Sequence, residues 1–315
     1  MYTGDMRPSV LILLALFIAL AATLPTSEPA SACASIGRRG PVRIKGEEAL
    51  IVWDPARRKQ HFVRVAGFGP TAEDFGFLVP TPSRPELGEA SDEVFSRLFD
   101  IYRAVRRQPR GVIYRGGGAP RSRGGVEVLE RRTVAGLDAA VLQADDASAL
   151  NQWLARHGYP SSRPLERWLA PYVARRWTVT AFRFDPSQQR GGRFVSRALR
   201  MSFDADAPFF PYSEPQDRAA PPEVRPFRVS VVAPTRMRAA PGTVWNGRVV
   251  YADQPRLRLE GALRAVVPPD SFGPSSWLTV FDEPRSLRGS TDVVFEEDPH
   301  QQPVAPRVDR MLVPW

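Results

Sequence analysis

Few side chains in this sequence have the chemistry of acid–base catalysts or metal ligands. The 315 residues include three histidines, His61, His157 and His300, and one cysteine, Cys33. A catalytic zinc site takes three protein ligands that lie close together. These four residues are spread over the whole chain, and no H-E-x-x-H motif is present. The sequence therefore predicts no metal site.

The stretch DDASALNQWLARHGYP, residues 145–160, concentrates two aspartates and a histidine within a few helical turns. An aspartate at its start is a good helix N-cap, and Gly158 has the position of the left-handed residue in a Schellman turn. His157 then ends a helix whose start lies about 15–18 Å away at 1.5 Å per residue, too far for the aspartates to pair with it. We interpret His157 as a helix-capping residue rather than a catalytic base.

Motifs of the common hydrolases are missing. GPSSW, residues 273–277, is the stretch most similar to the G-x-S-x-G nucleophile motif and does not match it. The S-x-x-K motif of penicillin-recognising enzymes is also absent, because neither lysine lies three residues after a serine. Two carboxylates that cleave a glycosidic bond can come from distant positions. Such carboxylates include Glu47, Glu48, Asp74 and Asp138, and no pattern selects a pair. The balance is against an enzyme, with a two-carboxylate hydrolase as the alternative.

Two further motifs need no ligand to explain them. Asp204 and Asp206 form a D-x-D motif that Pro208 follows closely, which is typical of a turn that ends a strand. The Gly-rich stretch RGGGAPRSRGG, residues 115–125, lacks the lysine of a phosphate-binding loop. An exported protein rarely meets RNA, so we predict a solvated loop there. The sequence thus predicts no cofactor and no nucleic-acid partner.

The N-terminal residues predict export. Residues 10–24, VLILLALFIALAATL, are almost entirely apolar. A helix over them would reach only about 22 Å, less than the roughly 30 Å hydrocarbon core of a bilayer. Residues 30–32, Ala-Ser-Ala, supply the small side chains that signal peptidase requires. We predict a signal peptide over residues 1–32, translation from Met1 or Met6, and a mature chain without a membrane span.

Cys33 follows the predicted cleavage site directly, which raises lipid attachment as an alternative. A lipoprotein signal prefers a Leu-like residue three positions before the cysteine, whereas this chain has Ala30 there. Ordinary cleavage at or near Cys33 is favoured over a lipid anchor on Cys33 and over an uncleaved membrane anchor. Because Cys33 is the only cysteine, no internal disulfide can form, and stability must come from packing.

The positive charge is unevenly distributed. Removing residues 1–32 takes away one arginine and two acids, so the net charge rises from +9 to +10. Residues 103–132 hold nine arginines against Glu127 and Glu130. Such a basic segment can bind anionic envelope polymers or lipid headgroups, although arginine richness is also typical of GC-rich coding. The predicted anion-binding face consists of Arg103, Arg106, Arg107, Arg110, Arg115, Arg121 and Arg123.

Apolar periodicity predicts an α+β body over residues 33–205. Alternating or short apolar runs predict strands at residues 47–54, 60–68, 73–80, 126–134, 138–144 and 177–184. Helices are predicted after Ser91, over residues 145–157, and after Ser162, the last kinked or ended by Pro171. We expect a mixed or antiparallel sheet with a few packed helices. Residues 206–315 are rich in proline and predict short strands without a helix, as a separate domain or a continuation of the first.

Several phrases of the sequence, taken in order, resemble a known family. They are EEALIVWD, EDFGFLVPTPSRPEL, GVEVLERRTVAGLDAAVLQADDASALNQWLARHGYP, WTVTAFRF, LRMSFDADAPFFPY and WLTVFDEP. Together they resemble the bacterial domain-of-unknown-function 2330 family of exported or envelope-anchored proteins. The resemblance is dense over residues 45–212 and patchy to about residue 298, with Phe77 where many members have tryptophan. It implies an envelope location and no catalytic residue.

These observations predict an exported bacterial protein, periplasmic or extracellular, that binds or supports another envelope component without catalysis. Its expected partner is an anionic envelope polymer, a lipid headgroup or another envelope protein.

Overall fold

A computed structural model describes residues 36–37, 44–68, 75–102, 126–159, 161–184, 194–195, 197–215, 225–286, 288–289 and 291–306. The predicted signal peptide, Cys33, Asp74 and all seven arginines of the predicted anion-binding face lie outside these ranges. Within them, no helix is long and apolar enough to cross a membrane.

Strands predominate in the described part of the chain. They are β1 (Ile36–Gly37), β2 (Ile44–Asp54), β3 (Lys59–Phe68), β4 (Phe75–Thr81), β5 (Glu86–Glu89), β6 (Glu127–Val134), β7 (Leu137–Gln143), β8 (Thr178–Phe184), β9 (Phe194–Val195), β10 (Leu199–Asp204), β11 (Phe209–Phe210), β12 (Arg225–Ala233), β13 (Met237–Ala239), β14 (Arg248–Asp253), β15 (Trp277–Ser286) and β16 (Val293–Glu297). The α-helices are α1 (Glu93–Tyr102), α2 (Ala147–Arg156), α3 (Arg163–Ala174) and α4 (Arg256–Leu263). The predicted α+β class is confirmed.

The largest sheet has the strand order β14-β15-β12-β2-β3-β10-β5, with β9 paired to β3 as an eighth strand. Strands β12 and β2 run parallel, and the other pairs of this sheet are antiparallel. A five-stranded sheet has the order β1-β4-β8-β7-β6, and a three-stranded sheet has the order β11-β16-β13. Strands β12, β14 and β15 come from residues 206–315, so this region extends the sheet that β2 and β3 begin.

Each large sheet is buried on both faces. Along β2, Ala49 and Ile51 point into a core that also includes side chains of the five-stranded sheet, such as Phe182. The alternate residues Leu50 and Val52 point into a second core, which α1 and α4 cover. A third core lies between the outer face of the five-stranded sheet and the helices α2 and α3. The layers therefore run helix, sheet, sheet, helix, and strands buried on both faces explain the nearly continuous apolar runs.

One local prediction differs from the structure, and one of the two alternatives predicted for Pro171, the end of the helix, is excluded. Helix α4 lies in the region predicted to have none, because exposed Leu257 disrupts the apolar pattern that Leu259 and Leu263 bury. Pro171 does not end α3, which continues to Ala174. Buried Tyr172 and Val173 follow the proline, and their packing against the sheet outweighs the backbone hydrogen bond that proline cannot make.

Candidate functional site

The carboxylates considered for hydrolysis do not converge. Glu47 and Glu48 are neighbours in β2, so their side chains point to opposite faces of the sheet. Asp138 lies on β7, where its Oδ1 accepts a hydrogen bond from Thr133 at 3.2 Å and its Oδ2 lies 3.6 Å from Arg183. Asp74 is outside the described residues. No two of the three that are described form a catalytic pair.

Glu47 belongs to a buried group of charges, the interior charge cluster, which consists of Glu47, Arg64, Glu214, Arg225 and Arg288. Its carboxylate accepts a hydrogen bond from Arg64 Nε at 2.6 Å and another from Arg288 Nη2. Glu214 accepts a hydrogen bond from Arg225, and Arg288 Nε lies 3.2 Å from its carboxylate. At most 9% of each of these side chains is exposed. Both glutamates are paired with arginines, three arginines against two glutamates, and all five charges are buried rather than presented to solvent.

Aromatic rings surround Arg288 within this cluster. Its guanidinium carbon lies 4.3 Å from the centre of the Phe227 ring, 4.7 Å from Tyr212 and 5.3 Å from Phe210. These are cation–π distances. The backbone φ of Arg288 is 48°, a left-handed conformation that costs a non-glycine residue roughly 1–2 kcal/mol. The ring and carboxylate contacts must outweigh that cost.

The register of the largest sheet places a second glutamate near Glu47. Phe227 on β12 is the partner of Glu47 on one side and of Glu283 on the other, so all three side chains point into the same core. Glu283 accepts hydrogen bonds from Tyr212 Oη at 2.9 and 3.0 Å and from Trp245 Nε1 at 2.9 Å. Burial raises the pKa of Tyr212 to about 12, so its hydroxyl remains protonated and keeps donating near neutral pH.

The protonation of Glu47 also bears on catalysis. Burial works to raise its pKa, but the charges of Arg64, Arg288 and Arg225 outweigh burial and hold that pKa below the usual value. A carboxyl group in this environment stays ionised and cannot act as a general acid. Its two oxygens are also occupied by guanidinium groups, which makes it a poor nucleophile.

Glu48 lies in a separate charged row on the helix-covered face of the sheet. The register aligns Glu48 with Arg228 and Asp282. Arg228 donates to Glu48 at 2.9 Å and to Asp282 at 3.1 Å, and it lies near the Tyr102 hydroxyl at 3.5 Å. Burial raises the pKa of Glu48 despite the charge of Arg228. Charge compensation in this row therefore depends on Arg228, which lies between the two acids.

Among the described residues, His61 forms a contact that resembles a nucleophile with its base. Its Nδ1 lies 2.8 Å from Ser202 Oγ and its Nε2 lies 2.9 Å from Ser271 Oγ. Burial lowers the pKa of His61 to about 4, with help from the charges of Arg200 and Lys59, so the imidazole is neutral at pH 7. A second serine occupies the place of the orienting carboxylate in a catalytic triad, and all three side chains are buried. We interpret this group as a buried polar connection between β3, β10 and the turn before β15.

The other motifs have structural roles, as predicted. His157 is the C-cap of α2, and the Tyr159 N–H donates to the Leu154 carbonyl at 2.9 Å in the predicted Schellman turn, with Gly158 at a φ of 85°. The imidazole of His157 stacks on Trp153. In the D-x-D motif, Asp204 ends β10 and its carboxylate lies 2.5 Å from Lys59 Nζ, while Asp206 pairs with Arg58. Both acids bind the turn between β2 and β3.

Metal ligands do not gather in the part of the chain that the structure describes. No three His, Cys, Asp or Glu side chains there lie close enough to hold a metal ion.

The outer surface of α2 and α3 is a different kind of candidate. It exposes an arginine face, which we define as Arg156, Arg163 and Arg167. Among the described residues, none of these three arginines has a carboxylate within ion-pair distance. Among the other exposed arginines of the described residues, eight form an ion pair: Arg57, Arg58, Arg84, Arg97, Arg132, Arg183, Arg238 and Arg264. Six form none within that part of the chain: Arg175, Arg176, Arg248, Arg256, Arg258 and Arg285. The arginine face therefore carries positive charge that its neighbours leave uncompensated.

Sequence reasoning missed the interior charge cluster, although a signal was present. Glu47 shares the strand parity of Ala49 and Ile51, and Arg64 shares that of Phe62 and Ala66. A charged residue at the buried positions of a strand requires a buried counter-charge. The identity of that partner, Arg288, has no local signal.

Comparisons with known proteins identify a family and no activity. A family model described as "Uncharacterized protein conserved in bacteria (DUF2330)" matches residues 29–258. No curated protein matches the chain in sequence. Two solved structures are similar. The first is a mutated baculovirus P35 after caspase cleavage, with a TM-score of 0.34 and 8% sequence identity, and the match covers 65% of this chain and 76% of that chain. The second is baculovirus P35, with a TM-score of 0.34 and 9% sequence identity, and the match covers 67% of this chain and 75% of that chain. Both likenesses are too distant to carry a conclusion.

Proposed function

The chain belongs to the DUF2330 family of uncharacterized proteins conserved in bacteria, and on that premise we propose that it is an exported, non-enzymatic module that binds an anionic component of the cell envelope. The observation that carries the non-enzymatic part is the neutralisation of the buried acids. Glu47 is bound by Arg64 and Arg288, and Glu48 by Arg228. Carboxylates held in this way stabilise a fold, and both oxygens of Glu47 are already bound by guanidinium groups.

Export rests on the apolar residues 10–24 and on the Ala-Ser-Ala of residues 30–32. The test is to express the full chain in a bacterium, separate cytoplasm, periplasm and membranes, and determine the mature N-terminus. We expect a chain that begins at or near Cys33 outside the cytoplasm. An intact chain in the cytoplasmic fraction would overturn the proposal.

Attachment to the envelope has its own test. Ordinary cleavage leaves Cys33 without acyl chains, so the intact mass is expected to equal that of the unmodified mature chain. Added acyl mass, together with release of Cys33→Ser from the membrane fraction, would instead assign the lipid anchor.

Binding to anionic envelope material is tested by retention of the mature protein on isolated envelopes. We expect retention that weakens as salt rises, because added ions screen exposed charges beyond about 10 Å at 0.1 M. Retention that does not change with salt would exclude the anionic partner and favour an apolar contact with another envelope protein.

A hydrolase with two carboxylates is the second candidate function, and one observation favours it. Glu47 and Glu283 flank Phe227 on neighbouring strands, which places their backbones roughly 10 Å apart at about 4.8 Å per strand. Inverting glycosidases hold their two carboxyl groups about 6.5–9.5 Å apart, a separation that two glutamates on one face can reach from backbones at this spacing. Release of reducing ends from envelope polysaccharide by the wild type, and its loss in Glu283→Gln, would support hydrolysis; we expect no release.

A further inference from the structure

We propose that the arginine face of α2 and α3 binds a linear envelope polymer that carries phosphate or carboxylate groups. This inference rests on the proposed function and assigns its binding surface. It begins from how the two helices are held. Buried Trp153 on α2 and Trp168 on α3 pack toward the five-stranded sheet, which leaves the opposite helix faces to solvent.

The three arginines gather at one end of the helix pair. Arg156 is the last residue of α2, Arg163 is the first of α3, and Arg167 follows one turn later. Residues four apart on a helix lie about 6 Å from one another. Asn151 Nδ2 donates to the Ser162 carbonyl at 3.4 Å and to Glu166 at 3.2 Å, so the two helices are in direct contact where α3 begins.

Nearby acids do not neutralise this end. Glu166 is turned toward Asn151 and only partly exposed. The Asp146 carboxylate caps the opposite end of α2, where it accepts a hydrogen bond from the Ala149 N–H at 2.7 Å. Within the described residues, the three guanidinium groups therefore face solvent without a carboxylate partner.

Helix stability does not account for the positions of two of these arginines. The start of a helix carries a partial positive charge, so cations there are unfavourable by roughly 0.3–1 kcal/mol. Arg163 is the first residue of α3 and Arg167 is in its second turn. Neither the helix dipole nor an ion pair within the described residues gives a reason for these two positions, and an anionic ligand would supply one.

The surface chemistry favours a polymer over a bilayer or a protein. A helix that inserts into a membrane needs large apolar side chains on its outer face, and protein interfaces use aromatic or aliphatic anchors. In the described residues, the exposed large apolar side chains are Val244, Leu257 and Val294, and none lies on α2 or α3. Guanidinium groups bind phosphate and carboxylate in two-pronged geometry, which suits a chain of repeated anions.

Three matched triple variants of the full chain test the proposal, each lacking three arginine charges. The first, Arg156→Gln, Arg163→Gln and Arg167→Gln, removes the arginine face. The second replaces with glutamine three exposed arginines of other elements that have no ion pair in the described residues: Arg248, Arg256 and Arg285. The third changes Arg110, Arg115 and Arg121 of the basic segment. A fourth variant, with lysine at all three positions of the arginine face, keeps the charge.

Binding of the secreted protein to long-chain polyphosphate and to polyglutamate is measured between 50 and 200 mM salt. The first variant is expected to bind at least roughly tenfold more weakly than wild type. The slope of its log binding constant against log salt concentration is expected to be smaller in magnitude by about 2–3, because binding releases about 0.7–0.9 fewer counterions for each lost contact with a linear polyanion. The second and third variants are expected to bind within twofold of wild type. The lysine variant is expected to keep the wild-type salt dependence, because it keeps the charge, but to bind several-fold more weakly, because it loses the two-pronged contacts.

Other outcomes overturn the proposal in distinguishable ways. Equal losses of affinity in all three glutamine variants would show that the effect depends on net charge alone. A loss of affinity confined to the third variant would assign the binding site to residues 103–125. Tight binding to phosphatidylglycerol vesicles, but not to either polymer, would assign a membrane partner. In each case the protein can still be exported and bound to the envelope, so the proposed function survives; a chain retained in the cytoplasm would remove both.

Discussion

Glu47 on β2 and Arg288, which lies 241 positions later, form an ion pair whose side chains are 0% and 2% exposed. The pair joins the central sheet to the segment between β15 and β16. Its partners, Arg64 and Glu214, come from β3 and from the residues after β11. Four distant parts of the chain therefore meet at one group of charges, and the integrity of the core depends on it.

Breaking this pair is expected to be costly. Glu47→Gln leaves Arg64 and Arg288 buried with less compensating charge, and removing one partner of a buried pair typically costs about 3–5 kcal/mol. The free energy of unfolding, measured with urea at neutral pH, checks this. The matched control is Glu296→Gln, whose partner Arg238 has a 42% exposed side chain; exposed pairs contribute less than about 1 kcal/mol. Similar losses in both variants would contradict the assignment.

Acid is expected to destabilise the protein through His61. Its pKa falls from 6.5 to about 4 on folding. Between these two values His61 is protonated in the unfolded chain and neutral in the folded chain. Stability from this group is complete above about pH 6.5 and declines as the pH falls toward 4, by about 3 kcal/mol in total. The unfolding free energy of wild type and of His61→Gln is measured at several pH values in that window. An unchanged pH dependence in His61→Gln would contradict the prediction.

Loss of Arg228 is expected to produce the opposite pH dependence. In Arg228→Met, Glu48 and Asp282 face each other on a buried surface without the cation between them. The pKa of Glu48, already raised by burial, rises further, so the folded state prefers the protonated acid. The variant is therefore expected to lose stability near pH 8 and to regain part of it near pH 5, relative to wild type. Equal destabilisation at both pH values would show that lost packing dominates.

Two glycines in strands are expected to respond differently to a methyl group. A Cβ on Gly76 would lie 2.5 Å from the Phe182 carbonyl oxygen and 2.5 Å from the ring of Tyr159, whereas a Cβ on Gly67 has no atom within 4 Å. Gly76→Ala is therefore expected to destabilise by about 1–3 kcal/mol through overpacking, and Gly67→Ala to change stability little. Thermal unfolding of both variants checks this; equal melting temperatures would contradict the close packing of β4 against Tyr159.

Caps and hairpins were predictable because neighbouring residues determine them. Asp146 and Gly158 bound α2 as expected, and Ala135 and Gly136, both at positive φ, form the turn between β6 and β7. The alternation of β3 was also recognisable, since successive side chains of a strand point to opposite faces of the sheet. The absence of a helix after residue 206 was predicted wrongly, and Pro171 does not end α3, because burial of a few side chains overrode local preference.

The sequence alone determined most of the long strands and three of the four described helices, and that few reactive side chains exist, because backbone preference and composition are local properties. Tertiary structure decided which charge meets which. The parallel pairing of β12 with β2 places Arg228 beside Glu48, 180 positions earlier, and Arg288 reaches Glu47 from still farther along the chain. Ion pairs form wherever the folded backbone brings opposite charges together in a low dielectric. No periodicity along the chain predicts which acid will pair with which arginine.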